Sequence, residues 1–162
     1  METILLKGDF RDKPAQVSFS DIEVNSADQL ADCILHITTN DYCFWTQFCI
    51  DVDFLVEFLS QIQNVIDSNT GKALLQSYTE ESQLVFTALG TPSGRILIEG
   101  TICVTFPTID GRLYGHLADA VGHIRSGINI HFGGVETDQS YVGQLVSALK
   151  LLSKALRKGV VP

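Results

Sequence analysis

The chain predicts an α+β fold, a mostly antiparallel β-sheet covered on one face by two α-helices, and three observations carry that prediction. Apolar and polar residues alternate with period two in pieces of strand length, and the turn signals between neighbouring pieces are short enough for hairpins. Only two segments, residues 51–67 and those from 138 onward, repeat apolar residues at helical spacing. The order strands, helix, strands, helix lacks the regular strand-helix alternation of parallel sheets. At 162 residues and 45% hydrophobic content the chain reads as one domain, 1–162, with enough apolar material for a core without staples.

Residues 3–7 and 16–24 are strand-like pieces, separated by the breakers Gly8-Asp9 and Pro14. Residues 31–39 and 42–50 flank Asn40-Asp41, whose side chains tolerate the left-handed backbone of a tight hairpin turn. In that register, paired positions sum to 81. Cys33, Leu35, Ile37, Phe44, Phe48 and Ile50 then share one face, and His36 sits opposite Trp45 on the other. Asp51 or Asp53 caps a helix running to about Asp67, with Leu55, Phe58, Leu59, Ile62, Val65 and Ile66 along one side and Asn69 to Gly71 as its stop.

After a short strand over 73–78, residues 83–89 and 95–106 form a hairpin around Gly90-Thr91-Pro92-Ser93-Gly94, in which Pro92 fixes φ. Ile96, Ile98, Ile102, Val104 and Phe106 mark its buried face. Asp110-Gly111 marks a further turn and 112–117 a further strand. Over 121–132 Ile124, Ile128, Ile130 and Phe132 point inward, and His123, Arg125, Asn129 and His131 outward. The closing helix starts near Asp138 and packs through Val142, Leu145, Leu149, Leu152 and Leu156. Lys150, Lys154, Arg157 and Lys158 crowd its last turns, where cations complement the helix dipole.

Charge narrows the function. The net charge is -8, and it is uneven: residues 1–81 hold 14 carboxylates against 4 Lys and Arg, and residues 82–162 hold 5 against 7. Contact with nucleic-acid phosphates or anionic membrane selects for the opposite sign, so neither is an expected partner. The acidic half reads either as a solvated face or as a docking patch for a cationic protein, formed by Asp9, Asp12, Asp21, Glu23 and Asp41 if they converge. Cys33, Cys43, Cys49 and Cys103 show no metal-type spacing and read as small sheet or core residues of a reducing compartment. With no secretory h-region and no run of roughly 18 apolar residues, a cytoplasmic protein is expected.

No motif assigns catalysis or a cofactor. His36, His116, His123 and His131 can titrate near neutrality but belong to no pattern, and Asp51 and Asp53 are better explained as caps than as an acid-base pair. The glycines follow neither GxGxxG nor GxxxxGK[ST] order, and a helix start bearing Glu136 and Asp138 repels an anion. Trp45, the single tryptophan, is an interface anchor if the face it shares with His36 stays uncovered.

The run Gly127-Ile128-Asn129-Ile130-His131-Phe132, then Glu136-Thr137-Asp138-Gln139-Ser140-Tyr141 and the leucine-spaced helix, resembles the C-terminal signature of WapI-type immunity proteins of bacterial polymorphic toxin systems. The order of elements is similar over residues 31–157. The resemblance implies a cytosolic antidote that binds and blocks a toxin domain without enzymatic activity of its own; with no motif for either, no metal and no cofactor are expected. A basic nuclease-type toxin would suit an acidic antidote through fast, salt-sensitive association. A second class is a small-molecule or peptide binding module on the open sheet face around Trp45, His36, Arg125 and His131. A third is an enzyme of unrecognised chemistry.

Overall fold

The computed structural model describes residues 3–41, 43–79, 82–105 and 127–158. They form eight strands, β1 (Ile4–Phe10), β2 (Lys13–Asn25), β3 (Leu30–Thr38), β4 (Cys43–Asp51), β5 (Lys72–Gln76), β6 (Gln83–Ala88), β7 (Arg95–Thr105) and β8 (Gly127–Asp138). Helix α1 (Val52–Ser68) follows β4, and α2 (Gln139–Arg157) follows β8. Every pairing is antiparallel, in the order β4-β3-β2-β1-β8-β7-β6-β5. The α+β architecture read from periodicity is the one observed. The expected turn at Asp110, the strand over 112–117 and the residues His116, His123, Ile124 and Arg125 lie outside the described residues.

The β3–β4 register holds as expected, from Leu30↔Asp51 through His36↔Trp45 to Thr38↔Cys43, each pair summing to 81. Two expected breaks are not breaks. β1 continues through Gly8-Asp9 to Phe10 and turns at Arg11 and Asp12, both at positive φ, as a two-residue hairpin with mirror-image turn geometry demands. Pro14 sits inside β2, before the first β2–β3 pair at Gln16↔Thr38, so its missing N–H costs no bond to β3. At the other end, β8 does not stop at Phe132. Gly134, at φ +89, carries a bulge opposite the Ile98/Gly100 shift of β7, and the strand runs on to Asp138.

Both helices start where the sequence places a cap. Asp51 accepts the N–H groups of Asp53 and Phe54, and Asp138 those of Ser140 and Tyr141. α1 ends at Asn69 in the left-handed conformation. Leu55, Phe58, Ile62 and Val65 of α1 and Val142, Leu145, Leu149, Leu152 and Leu156 of α2 are buried in one cluster with the inward residues of the sheet, among them Leu6, Val17, Phe19, Leu35, Ile37, Phe48, Phe86 and Ile98. Phe58 meets Phe86 with ring centroids 5.2 Å apart, joining helix to sheet. Among the described residues no helix is long and apolar enough to cross a membrane.

The sheet curls until the free edge of β4 meets the other half. Tyr78 N–H donates to Cys49 O, Cys49 N–H donates to Ser77 Oγ, and Thr46 Oγ1 donates to Cys103 O of β7, whose own N–H donates to Ser82 Oγ beside it. The far edge is covered too, since Leu74 N–H of β5 donates to Gln61 Oε1 of α1.

The Asp138 cap has a testable pH signature. The hydroxyl of Ser140 foremost, then its N–H and that of Tyr141, hold the carboxyl below the usual range. A depressed folded-state pKa gives stability that is complete above the unfolded value and is lost as pH falls through the folded one. Asp138→Ala is therefore expected to lower stability by about 1 kcal/mol at neutral pH. The deficit should shrink as pH falls through the acid range, as read from urea midpoints along a pH series; a deficit constant with pH would contradict the lowered pKa of Asp138.

Candidate functional site

Both helices cover the inner face of the sheet, and the outer face of β2, β3 and β4 carries what remains. Alternation sends Trp45, Gln47 and Cys49 of β4 outward, with Asp32, Ile34 and His36 of β3 beside them and Ser18, Ser20 and Glu23 of β2 beyond. Trp45 is 54% exposed. Its cross-strand neighbour His36 is half-buried, with Nε2 2.9 Å from Ser20 Oγ. Ser20 in turn donates to Asp21 Oδ2 at 3.1 Å.

A bulge builds the acidic end of this face. β2 slips between Ser20 and Glu23, and Asp21 takes a left-handed φ of 50°, so Asp21 and Glu23 both reach one cleft. The cleft, about 540 Å³, has Asp21, Glu23 and Asp32 on one side and Gln47, Cys49, Ser77 and Thr79 on the other, with Ile34 between. Among the described residues no Lys, Arg or His forms an ion pair with those three carboxylates.

The other expected acidic residues lie elsewhere, which corrects the expectation of one docking patch. Asp12 occupies the β1–β2 turn, at the opposite end of β2 from Glu23. That strand spans 13 residues, so the two groups are roughly 35 Å apart along it. Asp9 is bonded to Arg95 at 3.6 Å, and Arg95 also holds Glu136 at 3.1 Å. Asp41 is bonded to Lys13 at 3.7 Å. Length of strand, not sequence proximity, decides which carboxylates converge. The grouping of Trp45 and His36 with His131 also fails: His131 lies on β8, with β1 and β2 between it and β3, and its Nδ1 is 2.9 Å from Thr101 Oγ1 of β7. Arg125 lies outside the described residues.

Asp32 is the acid the sequence reading passed over. A signal was present: residues 14–71 contain no Lys or Arg at all and nine carboxylates, and this run supplies most of β2, all of β3 and β4, and α1. Among the described residues no group of three or more His, Cys, Asp or Glu could hold a metal ion.

The cleft also fixes the chemistry of its thiols. Burial foremost, then hydrogen bonding to Asp32 and the charges of Asp32 and Asp51, pushes Cys49 up to about 12. Burial, with Cys49 and Asp32 adding to it, pushes Cys33 up to about 12 as well, and its Sγ donates to Phe48 O at 3.0 Å. Neither is a nucleophile at neutral pH, because the thiolate is the reactive form. In a peptide-mapped iodoacetamide time course, Cys49 is expected to alkylate far more slowly than the exposed Cys43. Asp32→Asn should speed Cys49 by about tenfold by removing the charge that holds its proton. A Cys49 rate equal to that of Cys43 in the unaltered chain would contradict this reading.

Comparison of the chain with protein-family models, with curated proteins and with solved structures finds no match.

Proposed function

We propose that this chain is a binding protein that neutralises a cationic protein by covering it, an antidote of the immunity type to a bacterial toxin domain. The reading places it in the cytoplasm, acting by occlusion rather than by chemistry of its own, against a basic nuclease-type toxin. One observation carries it. The outer face of β2–β4 joins an exposed indole to a cleft with three carboxylates, on a stretch of chain without a single Lys or Arg.

An exposed aromatic residue flanked by polar groups is the pattern that dominates binding energy at protein interfaces. Carboxylates without compensating cations project a field that speeds encounter with a basic partner and falls with salt. Small-molecule pockets are mostly apolar, which this cleft is not.

Co-purification from the native host, with the bound protein identified and assayed, tests the proposal. The expected partner is a basic domain whose activity is lost at equimolar ratio. An acidic partner, or one that stays fully active in the complex, would overturn it.

A further inference from the structure

The two features of the outer face stand at a fixed separation, and that separation carries information about the partner. Trp45 and Cys49 are four residues apart on β4 and face the same way; Cys49 pairs with Asp32, which pairs with Glu23, so the carboxylate row of the cleft lies two rows beyond His36, with Ile34 and Gln47, which also line the cleft, in the row between. At about 3.3 Å per residue, the Trp45 row and the carboxylate row are roughly 13 Å apart along the strands.

We propose, resting on the reading of this face as a protein-binding surface, that it receives an extended segment of the partner bearing two arginines four positions apart, one guanidinium in the cleft and the other on the Trp45 ring.

Spacing, charge and shape each constrain the occupant. In an extended segment, residues four apart point to the same side and span the same distance as Trp45 and the cleft, whereas on a helix they span only about 6 Å. Asp21, Glu23 and Asp32 have no cation among the described residues and await one. Arginine fits better than lysine on two counts. Its planar fork meets several carboxylate oxygens at once, and its weakly hydrated plane stacks on indole. Ile34 supplies an apolar wall for the methylene stem.

Because the chain has one tryptophan, fluorescence excited at the red edge of the absorption band, where its four tyrosines do not absorb, reports on Trp45 alone. Three short Gly/Ser peptides serve as probes: one with arginines four positions apart, one with lysines in their place, and one with the arginines adjacent. The spaced-arginine peptide is expected to shift Trp45 emission with a Kd at least about tenfold below those of the other two. The combined variant Asp21→Asn, Glu23→Gln, Asp32→Asn, checked for an unchanged circular dichroism spectrum, should weaken it by a similar factor.

Equal binding of the lysine peptide, insensitivity to spacing, or full binding by the combined variant would each overturn the inference. The native partner separates this from the proposed function. Undiminished capture and inhibition by the combined variant would sink the arginine reading and leave the antidote reading standing. A partner that binds through this face yet keeps its activity would do the reverse.

Discussion

Replacing Asp21, Glu23 and Asp32 together by lysine is expected to slow association with a basic partner by about a hundredfold at low ionic strength. The three carboxylates line one cleft and none is neutralised by a neighbouring cation among the described residues, so their fields add at the docking face. Each reversal changes the charge by two, which takes the chain from -8 to -2. Net charge alone is a rival explanation, and α1 supplies the control. Asp53, Glu57 and Asp67 reversed together produce the same net charge on a different surface. As salt is raised to about 0.1 M they should slow association far less than the cleft variant, because screening there confines a surface charge to roughly 10 Å. Stopped-flow rates across a salt series decide the matter. Equal slowing by both triple variants would mean that overall charge governs the encounter, and the β2–β4 face would lose its claim.

What the sequence makes legible is what local chemistry dictates. The β3–β4 register follows from the Asn40-Asp41 turn together with alternation, since a slip of one residue would expose Leu35 and Ile37 and bury His36. The limits of α1 follow from Asp51 and Asn69, one an acceptor for free N–H groups and the other tolerant of the left-handed region. The expected break at Gly8-Asp9 and the expected strand end at Phe132 fail for a shared reason. A glycine can punctuate a strand, but it can equally permit close approach or a bulge within one, and only the neighbouring strand tells which. At Gly8 that neighbour is β8, which begins more than a hundred residues later. The same non-locality hides the site. Asp12 and Asp21 are close in sequence and belong to opposite ends of β2, whereas Asp21 and Asp32 meet only because β2 slips by a bulge against β3.

Gly100→Ala is expected to destabilise the protein by about 2–3 kcal/mol, well above the effect of an ordinary surface change. Gly100 lies in β7, between Leu84 of β6 and Phe132 of β8. A Cβ there would come within 2.8 Å of Phe132 Cε1 and be closer still to the carbonyl oxygen of Gln83. The phenyl ring can turn; the carbonyl belongs to a paired strand and cannot move without disturbing the ladder. Gly8→Ala should act in the same way, because its Cβ would press on Glu136 O at 2.5 Å and on Val135, at the junction where β1 meets β8. Gly133, on the same strand as Phe132 and Glu136, is the internal control. Nothing lies within 4 Å of a Cβ there and its φ is not positive, so Gly133→Ala should stay within about 0.5 kcal/mol of the unaltered chain. Urea midpoints at constant slope give all three values. If Gly100→Ala and Gly133→Ala prove equally mild, β6, β7 and β8 are not packed at the separation described. The β6–β7 end that receives β4 through Ser82, Cys103 and Thr46 would then lack the rigidity needed to hold Cys49 and Asp32 at the cleft.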